Sequence, residues 1–542
     1  MTFLQRIFLF SLLLFAWSTS DTAESTFVLA CFAVVAGRKA TADGSVLVGH
    51  NEQDNPPCLI NFDRVPRRPT AEAMSEKMRY RRRLVPPGQT ASFLWSQCVP
   101  KGAGDSCLNE YGVAIVSNKC PAREDGVDVL TERGELRDGG IGYLLRRLVA
   151  EQATTAREGV AIAGDLVERF GYAPSGRTYV VADPDEAWLM AVVPGRRWVA
   201  QRVPDDAVAV LPNVYIIRHV DLTDTANFLG SADLVDYATK RGWFNPATDG
   251  PFDFRKVYRE KRTDEPDPRR WWAHRLITGK EIPWPPEEPL PLWIRRREPL
   301  DVSSMVEILR SRGGRKPLST TKTVEAAVFQ LRANLPRAIG CVYWRVTCEP
   351  SSGALTPWYL GVSRVPDNYH ERVKLARRLL LDYQFNSTED TFRPKPELAW
   401  WKFKTLEDRV HEDYEGRIGR VRPVWEALER RLLAAQNAVE QEAMRLWANN
   451  PDTARDYLAR YCDKAAAEAC READRLVAMF EEDAERWSED HVVADFAPDD
   501  FALDDELVAL LDEVFVNAVP VARRLLRLLE ERGWTGWTKL ER

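Results

Sequence analysis

The chain of 542 residues exceeds the roughly 250–300 at which a single hydrophobic core stops growing, so a large domain with an additional lobe is expected. A hydrophobic content of 45% with 29% charged residues is ordinary for a soluble globular protein. The net charge of −6 provides no basic surplus and argues against nucleic acid as a partner.

The first segment reads as a targeting signal. Arg6 precedes an apolar run from Ile7 to Trp17 that is broken only by Ser11. That run is shorter than the about 20 residues a membrane span needs, and small polar residues follow it. A signal peptide is expected over residues 1–23 and a short propeptide over 24–30; an uncleaved anchor is the rival reading. No later segment has the length and apolarity for a stable membrane span, and the leader predicts a secreted or lumenal protein, whether extracellular, periplasmic or lysosomal. Nine cysteines fit such a compartment. Setting Cys31 aside leaves eight, with Cys341–Cys348 and Cys462–Cys470 as nearest-neighbour pairs. Asn386-Ser387-Thr388 matches a glycosylation triplet.

From Phe27 to Val48 the pattern is strand, turn, strand, with Asp43-Gly44 as turn chemistry. A strand follows at Gly112 to Val116, then helices at Ile141 to Gln152 and Ala156 to Phe170, the latter with a Thr155…Glu158 capping box. Arg177 to Ala182, Ala187 to Val193, Trp198 to Arg202 and Ala207 to Leu211 read as a four-stranded meander separated by Pro, Gly and Asp turns. Residues 264–299, rich in Pro and Trp, suit a long ordered surface loop. Strand signals return at Ala338 to Val346 and Trp358 to Val362. Beyond about residue 395, Leu428 to Trp447, Thr453 to Phe480 and Asp504 to Arg532 carry helical periodicity. The layering is α+β, divided into a catalytic domain over 31–394 and a helical region over 395–542.

Three catalytic classes find little support. The six histidines are dispersed, and neither His370-Glu371 nor His411-Glu412 is followed by the second His of a zinc-peptidase helix, so no metal or other cofactor is expected. Gly-rich phosphate loops and Gly-x-Ser-x-Gly are absent. A papain-type pair with a distant His stays open, although Cys31 lacks the local papain signature.

Cys31 becomes interesting through its position. If the leader and propeptide are removed, it is the first residue, and its own α-amine, with a pKa of about 7.7–8.0, is an adjacent base. A lone strand cysteine is otherwise a structural residue. Val28-Leu29-Ala30-Cys31 also resembles a lipoprotein processing box, but Asp21 and Glu24 separate it from the apolar run that such a box adjoins.

The flanking pattern resembles the dipeptidase family related to secernins, which are cysteine N-terminal-nucleophile peptidases. The carriers of the resemblance are Cys31, Gly37-Arg38-Lys39-Ala40, Ala42-Asp43-Gly44-Ser45 and Gly49-His50-Asn51-Glu52-Gln53-Asp54. Weaker matches are Asn109-Glu110-Tyr111-Gly112-Val113, Val181 to Trp188, Leu211-Pro212-Asn213, Phe329 to Arg332 and Tyr343-Trp344. The resemblance covers about residues 31–365 and implies an N-terminal-nucleophile αββα sandwich that hydrolyses short peptides, with Cys31 as nucleophile.

It further implies that Asn213 serves the oxyanion. Related amidases of this class use an Arg and an Asp beside the nucleophile, where this chain has His50 and Gln53. That departure leaves Glu52 or Asp54 as the group that orients the amine, with Asn51 beside them. Asn109 or Asn118 is a second polar candidate, with turn formation as its ordinary role. Arg332 is a candidate clamp for a substrate carboxylate, with plain surface exposure as the alternative. The expectation is therefore a dipeptidase acting on short peptide substrates, and homo-oligomers are compatible with it. An acyl-amide hydrolase of the same fold and an inactive secretory-pathway binding protein are the alternatives.

Overall fold

The computed structural model describes residues 31–54, 58–69, 88–99, 106–173, 175–260, 266–296, 298–371 and 392–490. The leader, the propeptide, Asn386 and the helix expected at Asp504 to Arg532 lie outside the described residues. The described residues from 31 to 481 belong to one compact unit.

Strands run in chain order as β1 (Phe32–Ala36), β2 (Val46–Gln53), β3 (Leu59–Val65), β4 (Arg68–Pro69), β5 (Gln89–Thr90), β6 (Phe93–Val99), β7 (Ser106–Asn109) and β8 (Ala114–Lys119). They continue as β9 (Arg177–Ala182), β10 (Ala187–Val192), β11 (Trp198–Arg202), β12 (Val208–Leu211), β13 (Phe228–Gly230), β14 (Thr323–Leu331), β15 (Cys341–Thr347) and β16 (Leu355–Tyr359). Among the described residues, the helices of nine residues or more are α1 (Leu144–Gln152), α2 (Ala156–Phe170), α3 (Pro268–Thr278), α4 (Val302–Arg310), α5 (Ala399–His411), α6 (Tyr414–Asn449) and α7 (Pro451–Asp490).

Two antiparallel sheets carry the core. One has the order β12-β1-β2-β14-β15-β16, and the other β13-β11-β10-β9-β8-β7-β6-β3. Helices α1 and α2 cover the eight-stranded sheet through β7 to β10, while α3 and α4 cover the six-stranded sheet through β12, β2 and β14. The layering is thus the expected αββα sandwich. It explains why β1, β2 and β14 are buried along their whole length instead of alternating: both faces of their sheet are covered.

The β1–β2 hairpin is held at its turn by side chains. Asp43 Oδ1 accepts hydrogen bonds from Ser45 N at 3.1 Å and Ser45 Oγ at 2.5 Å, and its Oδ2 accepts one from Gln330 Nε2 at 2.7 Å. Gly44 between them has φ +74°, a conformation that glycine adopts without steric cost. The register then sets Phe32 opposite Asn51 and Ala33 opposite His50, which brings Cys31 to the last residues of β2.

Several sequence expectations change. β9, β10 and β11 form the meander, but β12 leaves it and pairs with β1 in the other sheet. Residues 264–299 contain α3, started by Asp267, whose side chain accepts from the Arg269 and Arg270 amides ahead of Pro268 at the first turn. Thr155 caps α2 as expected, whereas Glu158 turns its carboxylate to the Thr154 amide and hydroxyl and leaves the box half-formed. The disulfide is Cys58–Cys98, between the start of the β3 segment and β6, with a Cα–Cα separation of 6.5 Å. Cys341, Cys348, Cys462 and Cys470 are buried free thiols, so neither nearest-neighbour pair forms. Cys341 begins β15 and Cys348 follows its last residue, a placement that holds their side chains a strand length apart.

Helices α5 and α6 pack against the sheets, α5 on β3 and α6 on β16. Trp425 on α6 is buried and donates through Nε1 to Ser352 O at 2.7 Å, and Arg310 on α4 meets Glu429 on α6 at 2.5 Å. Arg332, just past β14, grips Glu440 on α6 with Nη1 at 2.8 Å and Nη2 at 2.5 Å. Among the described residues no helix is long and apolar enough to cross a membrane.

Candidate active site

Cys31 stands at the head of β1 with 3% of its surface exposed. Its thiol donates to Glu52 Oε1 at 3.2 Å and lies 3.6 Å from the Gln53 main-chain oxygen. The other Glu52 oxygen is 3.8 Å from His50 Nε2 and 3.9 Å from Arg146 Nη1. Glu52 therefore bridges the thiol, an imidazole and a guanidinium within one buried cluster. Arg146 comes from the first turn of α1, and Arg177 from the start of β9. Both guanidinium groups face the Tyr143 ring, at 5.7 and 5.1 Å from its centroid, and Arg177 also donates to Ser117 Oγ at 2.9 Å.

Burial and charge set the protonation states. Burial pushes the Cys31 thiol far above its ordinary range, the Glu52 carboxylate adds to this, and the Gln53 carbonyl contact and Arg177 oppose it. His50 is depressed to about 3, first by burial and then by the Arg146 charge. In this state the thiol is protonated and His50 is neutral. An imidazole so hard to protonate is a poor general base, so His50 gives no support to a papain-type pair with Cys31.

On the other side of Cys31, Arg269 at the start of α3 donates through Nη1 to the Cys31 carbonyl at 3.3 Å and through Nη2 to Asn213 Oδ1 at 2.9 Å. Asn213 in turn donates from Nδ2 to Lys119 O at 2.8 Å. Asn118 on β8 donates to Leu211 O at 2.7 Å, so it ties the end of β12 to the opposite sheet beside His50. The crossing of β12 between sheets is what delivers Asn213 to the neighbourhood of Cys31.

The structure thus brings Cys31, His50, Glu52, Asn118 and Asn213 together. Asn51 and Gln53 serve the scaffold: Asn51 Nδ2 donates to Leu309 O and Leu318 O, each at 2.8 Å, and Gln53 Nε2 donates to Leu318 O and Thr323 Oγ1, each at 2.9 Å. Asp54 points toward the Cys58–Cys98 disulfide, with Oδ2 at 3.9 Å from Cys98 Sγ. Asn109 closes a turn by accepting from the Tyr111 and Val113 amides. Arg332 is neither exposed nor a clamp here, because its bidentate pairing with Glu440 occupies the fork that a substrate carboxylate would need.

Sequence reasoning missed Arg146, Arg177 and Arg269. Of these, only Arg269 carried a local signal, the Asp267-Pro268 helix start. One donor atom each from Cys31, His50 and Glu52 lies within 4.8 Å of the others, a thiol, imidazole and carboxylate set close enough to hold a cation.

The profile of peptidase family C69 matches residues 30–378, well over half of the chain, and begins one residue before the buried thiol. The chain belongs to peptidase family C69. It is therefore a hydrolase of peptide bonds in the cysteine peptidase class. A probable dipeptidase B of Streptococcus pyogenes serotype M1 is 26% identical over 377 residues, covering 63% of this chain and 74% of that protein. A probable dipeptidase of Salmonella dublin is 26% identical over 359 residues, covering 62% and 82%. Dipeptidase A of Lactobacillus helveticus is 23% identical over 388 residues, covering 64% and 78%. Among solved structures, penicillin V acylase from Agrobacterium tumefaciens aligns over 61% of this C69 chain and 86% of its own, with TM-score 0.31 and 11% identity.

Proposed function

We propose that this C69 peptidase is a dipeptidase in which Cys31, freed as the N-terminal residue, is the nucleophile. The observation that carries the reading is the buried contact of the Cys31 thiol with Glu52 at the mouth of the β1–β2 hairpin. In the unprocessed chain burial, with that carboxylate adding to it, disfavours the thiolate. Cleavage before residue 31 adds a basic amine to the same residue. Glu52 then faces an ammonium, and the carboxylate that suppressed the thiolate becomes the partner of the proton taken from it.

The reaction follows in two steps. The α-amine accepts the thiol proton, and the sulfur attacks the scissile carbonyl carbon. The Asn213 amide keeps one N–H beyond the one given to Lys119 O, and it serves the oxyanion. Arg269 fixes that amide through its oxygen while holding the Cys31 carbonyl. The tetrahedral intermediate collapses as the C–N bond breaks, and the ammonium returns its proton to the leaving amine. Water then attacks the thioester, gives a proton to the α-amine, and releases the acid and the thiol.

Export is part of the proposal. The leader-like start supports it, and so does the Cys58–Cys98 disulfide, since such bonds persist in oxidising compartments.

The test is a panel of dipeptides and N-acyl amides assayed with wild type and Cys31→Ser. Dipeptide hydrolysis that Cys31→Ser reduces by about 10³-fold or more is expected from loss of the nucleophile. Hydrolysis of acyl amides alone would assign the acyl-amide alternative, and undiminished turnover by Cys31→Ser would remove Cys31 from the mechanism.

A further inference from the structure

A cavity of about 200 Å³ opens beside the end of β2, between β14 and α5, and is lined by Asp54, Trp400, Trp401, Lys404, Glu407 and Asp408. It adjoins the nucleophile through Gln53. The main-chain oxygen of Gln53 is the thiol's contact, its side-chain amide ends on Thr323 in the cavity wall, and Asp54 is the next residue. Five of the six lining residues named come from α5, which lies beyond residue 378, where the match to the family ends.

The chemistry of the cavity is two-sided. Trp400 and Trp401 meet edge to face with centroids 4.9 Å apart, forming an apolar wall. Trp400 is nine-tenths buried, yet among the described residues its indole Nε1–H has no partner. Lys404 is already engaged by Glu407 and Asp408, with Nζ at 2.7 Å from each. Among the described lining residues, three carboxyl groups thus stand against one amine, and burial pushes Glu407 up to about 7. An excess of carboxyl groups favours a cationic ligand and repels a carboxylate. The volume accommodates one amino-acid side chain and is smaller than the roughly 300–1,000 Å³ of sites for drug-sized ligands.

Resting on the dipeptidase reading, we propose that this cavity receives the N-terminal residue of the substrate. The free ammonium points toward Asp54 and Asp408, and an apolar or aromatic side chain lies on the Trp400–Trp401 wall. The C-terminal helices of this chain then select the substrate, while the two sheets supply the chemistry. Free dipeptides with a large apolar first residue are preferred over those beginning with Ala and over their N-acetylated forms.

The experiment compares kcat/KM for Phe-Ala, Ala-Ala and N-acetyl-Phe-Ala in wild type, Trp401→Ala, Trp401→Phe and Asp408→Asn. Wild type is expected to favour Phe-Ala over Ala-Ala by about 10-fold or more, the discrimination typical of an apolar pocket. Trp401→Ala should abolish most of that ratio through KM, and Trp401→Phe should restore it. Asp408 is 62% exposed, so Asp408→Asn leaves packing intact, and it should shrink the penalty for N-acetylation. If Trp401→Ala does not fold, Trp401→Phe and Asp408→Asn still decide the matter. A Phe-Ala preference unchanged in Trp401→Ala, or a wild-type acetylation penalty in Asp408→Asn, would overturn the assignment while leaving dipeptide hydrolysis standing. Failure of wild type on every dipeptide would instead overturn the dipeptidase reading, and this assignment with it.

Discussion

The sulfur of Cys31 lies 3.2 Å from a carboxylate oxygen of Glu52, with both residues nearly closed to solvent. A carboxylate at that distance favours the protonated thiol until a positive charge appears beside it. Glu52→Gln separates these effects. In protein that still carries residues before Cys31, the substitution should lower the thiol pKa and move the pH profile of alkylation by iodoacetamide toward lower pH. In processed protein it should reduce kcat by about 10²-fold, the scale of a lost proton-transfer partner.

Arg269 links the Cys31 carbonyl to the Asn213 amide. Arg269→Ala leaves both acceptors short of a donor, at a cost of about 1–3 kcal/mol each when such groups stay dry. Thermal melting should register the loss, and kcat should fall more than KM rises because the substrate is not touched directly. Arg269→Lys should restore little, since one ammonium cannot span both oxygens as the planar fork does.

The hairpin and the contact it makes were legible because they are local in sequence: Cys31, the Asp43-Gly44-Ser45 turn and Glu52 all lie within one β-hairpin. The αββα layering was likewise legible from the family resemblance. Arg146, Arg177 and Arg269 were not, since each reaches the cluster from an element distant in the chain and a lone Arg has no pattern. β12 misled for a related reason. Its alternation and turn match the strands before it, and only pairing with β1, decided by long-range packing, moves it to the other sheet.

The fate of Arg332 illustrates the same limit. Its fork was free to be assigned to a substrate until Glu440, 108 residues later, closed on it. Removing one partner of such a buried pair costs about 3–5 kcal/mol, while replacing both by apolar residues is close to neutral. Arg332→Met or Glu440→Leu alone should therefore lower the melting temperature strongly, and the double variant should recover most of it. Additive losses in the double-mutant cycle would contradict a direct coupling of α6 to the sandwich.

His50 makes a prediction about acid. Its pKa is near 3 in the folded protein against 6.5 for an unfolded chain, so between those values the unfolded state binds the extra proton. Its contribution to stability is complete above pH 6.5 and is lost as pH falls toward 3. Melting temperatures measured from pH 7 to pH 4 should decline, and His50→Gln should decline less steeply over that window. Parallel profiles for the two proteins would contradict a buried neutral His50.

The central claim is that Cys31 acts as the first residue of the active enzyme. N-terminal sequencing of purified, dipeptide-hydrolysing protein tests it most directly. Cys31 is expected in the first cycle. Active protein in which residue 31 is still preceded by the residues before it would contradict it.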